Sequence, residues 1–401
     1  MSNATPDAFR SGEGMTSGAA GRFVRCDPLE VAVGWVYGSR PAPRPATGQA
    51  ARQALDDAIR PALQHGPCYV TFSGGRDSSA VLAAATGLAR REGHDLPVPM
   101  TRVYPDLADT DESSWQRLVV DHLGLTEWVR LELRQGESDL LGPAARAGLR
   151  ARGLVWPPAL QTHGVMFEHA RGGSLVTGEG GDAVLGSHRG TPLARLRHGR
   201  RPSRTLLRLA ASAVLPRQIR RKRIAALAMQ SVQSRWLQPD ALLQHARKIA
   251  DDESGESLRG DSATWAVATK RSFATISHNH AVVAAEYGIK ASDPLLDHRF
   301  VSTLARDGGA LGFTSRTATM RFLFADTLPA AVLSRPTKAR FNHAHAAEAT
   351  RGFARDWDGT GVDPNLVDVD RLRDVWLSDQ PTMATGMLLH AAWLSTIGRA
   401  G

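Results

Sequence analysis

The sequence predicts an α/β fold in which a parallel sheet with helices on both faces is followed by a mostly helical C-terminal half. Between residues 49 and 177, short β-branched apolar runs alternate with segments whose apolar residues recur at helical spacing, as in βαβ units. Beyond residue 190 the strand signals fade while helical spacing continues. The 401 residues, 42% of them hydrophobic, are enough to build a large core.

The first predicted helix covers residues 49–64, where Leu55, Ile59 and Leu63 recur at helical spacing. A buried strand at 68–72 follows, and a helix at 78–91 comes after a glycine-rich turn. The next predicted elements are a strand at 98–103, a helix at 112–123, a strand at 128–133, a helix at 162–170 and a strand at 174–177.

The C-terminal half is predicted to contain helices at 203–214, 218–234, 239–251, 262–288, 298–306, 316–326 and 384–397. Residues 1–47 are rich in Gly, Ala, Pro and Ser, which predicts a flexible or loosely packed extension with a short apolar segment at 31–37. We therefore expect an N-terminal extension over 1–47 and one catalytic domain over 48–401.

Cysteine usage and hydropathy exclude several protein classes. The two cysteines, Cys26 and Cys68, fit neither a disulfide framework nor a paired metal-binding motif. No apolar run approaches the roughly 20 residues of a membrane span. The first 22 residues lack the apolar core of a secretory signal. We expect a cytoplasmic protein that does not contact membranes.

Basic charge is concentrated in one stretch of the chain. The net charge is +9, and no acidic residue occurs from 183 to 239, a stretch that includes the run Arg220-Arg221-Lys222-Arg223. One interpretation is a solvated, arginine-rich helical surface. The other is a docking face for an acidic substrate or peptide.

The most informative motif is Ser73-Gly74-Gly75-Arg76-Asp77-Ser78-Ser79, which lies between the predicted strand 68–72 and the following helix. Ligands of open parallel sheets bind at the carboxyl ends of strands, where backbone N–H groups of the next helix point outward. Glycines allow a phosphate to approach the backbone, and the serine hydroxyls add donors. The motif lacks the lysine of the kinase-type phosphate loop. The plainer interpretation is a glycine-rich turn with Asp77 or Ser78 as a helix cap.

This motif resembles the pyrophosphate loop, SGGxDS, of the N-type ATP pyrophosphatases. The resemblance implies an enzyme that cleaves ATP between its α and β phosphates, adenylates its substrate and holds pyrophosphate in this loop. Ser73, Gly74, Gly75, Ser78 and Ser79 would then cradle pyrophosphate, with ATP and Mg²⁺ as cofactors.

Further segments resemble asparagine synthetases within that superfamily. Residues 177–182, Thr-Gly-Glu-Gly-Gly-Asp, are similar to their GEGxDE segment, although Ala183 replaces the final acidic residue. Residues 288–299 resemble the region before and through P-F-L-D, and Asp111-Glu112 matches a DE segment after the second strand. Arg321, Leu328-Pro329 and residues 335–341 follow the order of the C-terminal R…LP…R-x-K-x-x-F pattern.

The resemblance assigns roles to individual residues. Asp77 and Asp182 would bind Mg²⁺, which suits two carboxylates at the predicted ends of strands. Glu179 would be the general base for the attacking amine, and Lys338 the cation that stabilises developing charge. The end of the second strand, near Val103, would contact adenine. From the residues alone, each aspartate is equally a cap or turn residue, and Lys338 equally a surface lysine.

Two departures from asparagine synthetases bear on the substrate. The chain begins Met1-Ser2 rather than with a catalytic cysteine, so we expect no glutaminase domain; the amine would be free ammonia, a partner's product or part of the substrate. Lys290 and Ser292 replace the usual Glu and Arg, which puts aspartate as the substrate in doubt. Lasso-peptide macrolactam cyclases and β-lactam synthetases are related, but the latter have Tyr where Glu179 stands.

The sequence thus predicts an ATP-dependent carbon–nitrogen ligase of specialised metabolism, with macrolactam formation on a peptide as one form. Its partners would be a small molecule or peptide carrying a carboxylate and an amine, and an ammonia-supplying or peptide-delivering protein. The alternatives are ammonia-dependent amidation of a small carboxylate, tRNA modification and a non-catalytic scaffold. The GEGGD and P-L-L-D segments count against nucleic acid, and the intact loop counts against a scaffold.

Overall fold

The structure, a computed structural model, describes residues 22–46, 48–134, 136–198, 202–336, 345–379 and 381–398. Its strands are β1 (Cys68–Thr71), β2 (Val98–Val103), β3 (Val129–Glu132), β4 (Ser174–Val176) and β5 (Lys290–Ser292). They form a parallel sheet in the order β3-β2-β1-β4-β5. The predicted fold class is confirmed. The sequence did not reveal β5, because a three-residue edge strand that begins with an exposed lysine carries almost no strand signal.

Helices surround this sheet and build the second half. In chain order they are α1 (Pro28–Val33), α2 (Ala51–Leu63), α3 (Arg76–Glu92), α4 (Ser113–His122), α5 (Pro143–Arg152), α6 (Gly164–His169), α7 (Gly181–Val184), α8 (Thr191–Arg197), α9 (Arg204–Ala213), α10 (Arg217–Met229), α11 (Pro239–Ser254), α12 (Gly260–Ala268), α13 (Arg271–Ala285), α14 (His298–Gly308), α15 (Arg316–Phe324), α16 (Ala330–Ser334), α17 (Glu348–Asp356), α18 (Val369–Leu377) and α19 (Gly386–Ile397). Among the described residues, no helix is both long and apolar enough to cross a bilayer.

Successive side chains along β1 and β4 show which helices cover each face of the sheet. Val70 and Val176 pack in one cluster with apolar residues of α2, α3 and α4. Their strand neighbours Tyr69 and Leu175 pack in a separate cluster with residues of α6 and α13. Because successive side chains of a strand point to opposite faces, the two clusters are the two layers that cover the sheet.

One long helix predicted over 262–288 is two helices in the structure. Residues 269 and 270 leave helical geometry and pair with the N-terminal segment: Ser39 forms an antiparallel bridge with Lys270, and the Arg40 N–H donates to the Thr269 carbonyl at 2.7 Å. The helical spacing is real on both sides, so the sequence signal was continuous. A tertiary backbone contact, which local spacing does not encode, divides the helix.

The N-terminal segment from 28 to 37 is tightly packed, so the prediction of a loosely packed extension is wrong for this part. Leu29, Val31 and Val33 are buried in a second core with residues of α11, α17, α18 and α19. The indole N–H of Trp236 donates to the Ala32 carbonyl at 2.8 Å. The abundance of Gly, Pro and Ser around it concealed a short helix that is buried at nearly every position.

Glu30 fixes α1 from inside this core. It is 1% exposed and forms an ion pair with Arg271 at the start of α13. Its carboxylate also accepts the Asp27 N–H at 3.0 Å, completing a capping box, and the Tyr37 N–H at 3.1 Å. One buried carboxylate therefore joins the N-terminal segment to a helix of the sheet layer.

We expect Glu30→Ala to lower the free energy of unfolding by about 2 kcal/mol, because it leaves a half-buried guanidinium and two backbone N–H groups without their acceptor. Chemical denaturation followed by tryptophan fluorescence measures this. The exposed Glu127→Ala is the matched control. A loss as small as that of the control would show that α1 is not held by this carboxylate.

Candidate active site

The site lies where the chain direction across the sheet reverses. From β1 the chain builds β2 and β3 on one side, and then returns to place β4 on the other side of β1. Beyond the loops that follow β1 and β4, the chain therefore leads in opposite directions across the sheet, which leaves a crevice at the carboxyl ends of the two strands, the usual ligand position in open α/β sheets. These loops are the two glycine-rich motifs, residues 73–79 and 177–182.

The loop after β1 is ordered by its own hydroxyl groups. The Ser73 N–H donates to Ser78 Oγ at 3.2 Å, and Ser78 Oγ donates to the Gly75 carbonyl at 3.2 Å. Gly74 has φ +77°, and a Cβ there would lie 2.9 Å from Gln116 of α4, so only glycine fits. Gly75 is the N-cap of α3, whose first N–H groups face the crevice.

The predicted pyrophosphate residues separate into two groups. Ser73, Gly75, Asp77 and Ser78 line one cavity of about 700 Å³. Gly74 and Ser79, in contrast, do not line it; both are buried, and Ser79 is fully inaccessible, so these two support the loop from beneath. The structure thus brings Ser73, Gly75 and Ser78 together at one cavity, whereas Ser79 lies beneath the loop.

The loop after β4 presses its backbone against the first loop. A Cβ at Gly181 would lie 2.4 Å from Asp77 Cγ, and a Cβ at Gly178 would lie 2.9 Å from the Ser78 nitrogen. Both values are below any real contact distance for a side-chain carbon, so glycine is required at both positions. This close approach brings Asp182 and Glu179 into the same cavity as Asp77.

Asp77 and Asp182 converge on one cation, the guanidinium of Arg316. Its Nη2 lies 2.5 and 2.6 Å from the two oxygens of Asp77, and its Nη1 pairs with Asp182. Burial would lower the pKa of Arg316, but the charges of Asp77 and Asp182 outweigh this and raise it. Arg316 was missed as a site residue, because a lone arginine at the start of a helix matches no motif.

The two aspartates fit the predicted Mg²⁺ site. Mg²⁺ is commonly held by one or two carboxylates and completes its shell with substrate phosphates and water. Both carboxylates already contact a single cation, and the phosphate-binding loop lies beside them. Asp77 and Asp182 would therefore hold Mg²⁺ beside the 73–79 loop, where it would supply positive charge for phosphate groups.

Glu179, the predicted base, lies at the head of a polar chain. Its N–H donates to Thr177 Oγ1 at 3.0 Å, and that hydroxyl donates to Asp293 at 2.5 Å. His280 Nδ1 is 3.8 Å from the same Asp293 oxygen. Asp293 and His280 were missed as site residues, although Asp293 falls within the 288–299 segment that the sequence analysis identified.

The charges and burial around Glu179 suit a proton acceptor. Burial raises the pKa of Glu179, and the neighbouring charge of Asp293 raises it further. Burial would also raise the pKa of Asp293, but the neighbouring His280 and the hydrogen bond from Thr177 outweigh it and lower that pKa. The ionised Asp293 therefore makes Glu179 a better proton acceptor than an ordinary glutamate.

Arg335 closes the other side of the phosphate loop. It is 3% exposed, pairs with Glu112, and donates to the Gly74 carbonyl at 2.9 Å. Its guanidinium also lies 4.6 Å from the ring centre of Trp115. Glu112 and Arg335 both belong to segments that the sequence singled out, and the structure shows why they occur together: they fasten the loop to α4.

The remaining predicted site residues are Val103, at the end of β2, and Lys338, in the C-terminal pattern. Arg102 and Tyr104, the neighbours of Val103, line the cavity, whereas the Val103 carbonyl accepts the Leu133 N–H at 2.8 Å within the sheet. Of the residues near the predicted adenine contact, the two neighbours of Val103 therefore line the cavity, whereas Val103 itself does not. Lys338, the predicted cation, lies outside the described residues.

A glycine- and serine-rich loop, a pair of carboxylates and a half-buried glutamate at the reversal point of a parallel sheet are the features expected of a nucleotide-dependent α/β enzyme. A family model described as asparagine synthase matches residues 50–395 of this chain. The chain belongs to the asparagine synthase family. Membership supports ATP-dependent amidation by a carbon–nitrogen ligase, and the family uses ATP. A search of curated proteins finds no match to the chain.

The close approach of the two loops can be tested with Gly181→Ala. The added methyl group would collide with Asp77 and push the loops apart, so we expect MgATP affinity to fall at least about tenfold while the fold survives. Isothermal titration with MgATP measures the affinity. Gly48→Ala, where the methyl group meets open space, is the control. Equal affinity of the two variants would contradict this account of the site.

Proposed function

We propose that the protein is an ATP-dependent ligase that adenylates a substrate carboxylate, releases pyrophosphate and transfers the acyl group to an amine. The observation that carries the proposal is the convergence of the 73–79 loop, the Asp77–Asp182 pair and Glu179 around one cavity. Phosphate binding and proton transfer would then occur in one cavity, as two successive reactions on the same carboxyl group require.

In the first reaction, a carboxylate oxygen attacks the α-phosphorus of ATP, and the bond from that phosphorus to the bridging oxygen breaks. The α3 N–H groups and Ser78 receive the charge that develops on the departing pyrophosphate. Mg²⁺ held by Asp77 and Asp182 would neutralise phosphate charge during this step. Because these residues are already in position, little reorganisation opposes the reaction.

In the second reaction, the amine nitrogen attacks the acyl carbon, and the acyl–oxygen bond to AMP breaks. The amine must lose a proton as the new bond forms, and Glu179 is the group placed to accept it. Thr177 holds the Glu179 backbone, and Asp293 keeps negative charge beside its carboxylate. Lys338 is the proposed cation for the oxyanion formed in this step.

The substrate side of the cavity favours an acid larger and less polar than aspartate. Leu160, Met166, Phe273 and Ile276 line it, and its polar members include His163, His280 and Asp293. A mostly apolar wall binds carbon-rich substrate surface. We therefore propose a carboxylate of specialised metabolism, with macrolactam formation within a peptide as one form and ammonia-dependent amidation of a small carboxylate as the alternative.

The proposal predicts pyrophosphate and AMP in equal amounts when the protein meets MgATP and a responding acid from a panel of carboxylates and peptides, assayed with and without ammonium. Asp77→Asn should reduce pyrophosphate release at least about a hundredfold. Glu179→Gln should retain adenylate formation, measured as ATP–pyrophosphate exchange, but lose most amide formation. In the wild type, amide formation should fall with acidity at a pKa above that of an ordinary glutamate, since Glu179 must be ionised.

Arg117→Ala, on the exposed side of α4, is the control for both variants. Release of ADP and phosphate would overturn the adenylation mechanism. Loss of exchange in Glu179→Gln would show that Glu179 acts before amine attack. Absence of MgATP binding would support the scaffold alternative.

The basic stretch supplies a candidate surface for delivering a peptide. Arg220 donates to the carbonyls of Glu253 and Ser254 at the C-terminus of α11, and Arg221 pairs with Asp251, so these two arginines hold α10 in place. The solvated-surface interpretation thus accounts for only part of the run.

The outward stripe of α10 carries Ile219, Arg223 and Leu227 at successive turns, and Leu227 is 70% exposed. Exposed aliphatic groups between positive charges favour an acidic peptide with apolar side chains over nucleic acid, whose binding depends on phosphates and base stacking. We propose that an acidic segment of the substrate or its carrier docks here.

Arg223→Glu should raise the KM for such a peptide about three- to fivefold at low salt, and the difference should shrink at high salt because the attraction is screened. Steady-state kinetics at two ionic strengths measure both effects. Arg117→Glu reverses the same charge on α4 and is the control. An unchanged KM with unchanged salt dependence would show that the stripe is only solvated surface.

A further inference from the structure

Arg316 contacts both candidate metal ligands at once. Its Nη2 bonds both oxygens of Asp77, and its Nη1 bonds Asp182. A Mg²⁺ ion shared by the two carboxylates would lie between them, where the guanidinium now lies, and two cations cannot occupy that space together. Arg316 must therefore release the carboxylates before they can bind Mg²⁺ together.

The guanidinium is not fully satisfied where it lies. Its Nε is buried and has no acceptor among the described residues. An arginine has five N–H donors, and a buried donor without a partner is costly. A second position that offers more acceptors is thus favourable for this side chain.

The phosphates of ATP, bound at the neighbouring loop of residues 73–79, would supply such acceptors. Arg316 begins α15, whose N-cap Ser315 fixes the backbone, so a move of the guanidinium needs only side-chain rotation. It lines the same cavity as Ser73, Gly75 and Ser78. Arg335, also at this loop, is already paired with Glu112, whereas Arg316 becomes available when its carboxylates bind a metal.

We propose that Arg316 is a two-position residue: it neutralises Asp77 and Asp182 until Mg²⁺ takes them, and then binds the phosphates of ATP. A planar guanidinium suits both partners, because it forms paired hydrogen bonds with carboxylates and with phosphates. The exchange keeps positive charge matched to negative charge at each stage. The inference rests on ATP binding at this site and adds a residue that couples metal binding to phosphate binding.

The proposal predicts effects of opposite sign for Arg316→Met, which keeps a side chain of similar reach without charge. Mn²⁺ binding in the absence of nucleotide, followed by electron paramagnetic resonance, should become about tenfold tighter, because a competitor has been removed. MgATP binding, followed by isothermal titration, should become about tenfold weaker, because a phosphate ligand has been lost. Arg316→Lys should restore part of the MgATP affinity.

Arg117→Met is the matched control and should change neither affinity. The gain in Mn²⁺ affinity should disappear in the double variant with Asp77→Asn, which assigns it to this pair of carboxylates. Circular dichroism checks that each variant is folded. Any other combination of the two affinities overturns the proposal; weakening of both would mean that Arg316 only orders the aspartates. If the wild type itself does not bind MgATP, the proposed function fails, whereas equal binding by wild type and Arg316→Met refutes only this inference.

Discussion

The contact between two glycine-rich loops determines the rest of this site. Gly178 and Gly181 bring the chain after β4 against Asp77 and Ser78 at a distance that no side chain allows. Because the loops follow adjacent strands of a parallel sheet, their carboxylates and N–H groups face one crevice without any long-range adjustment. The chemical groups are therefore positioned by backbone packing, which is stiffer than side-chain packing.

Charge compensation is the second constraint. The carboxylates around the crevice each have a cationic or hydrogen-bonding partner: Asp77 and Asp182 meet Arg316, Glu112 meets Arg335, and Asp293 meets Thr177 and His280. Glu179 differs from them, since burial and its neighbour both raise its pKa. An environment that pushes the pKa of one carboxylate upward while lowering another is how a site separates a base from its supporting charges.

Much of the fold and site is encoded locally, and the exceptions have physical causes. Strand 68–71 and the loop after it were predictable because β-branched residues, two glycines and a helical pattern follow one another within 25 residues. Arg316 and His280 were not, because each reaches the crevice from a distant helix and carries no motif of its own. The division between α12 and α13 was equally hidden, since it depends on a backbone pairing with Ser39. Local patterns predict elements and turns, whereas long-range contacts decide which side chains meet.

The pairing of residues 38–40 with residues 269–271 also has a mechanical consequence. It fixes the first turn of α13, the helix that carries Phe273, Ile276 and His280 along the substrate side of the cavity. The loop at residues 73–79 is supported by the sheet. The cavity wall formed by α13 is also held by residues 38–40, which precede the first strand in the chain. The wall formed by α13 is therefore held at two places, by the sheet layer against which Val283 and Ala284 pack and by the N-terminal segment at its first turn, so a displacement of that segment would reach the cavity through α13.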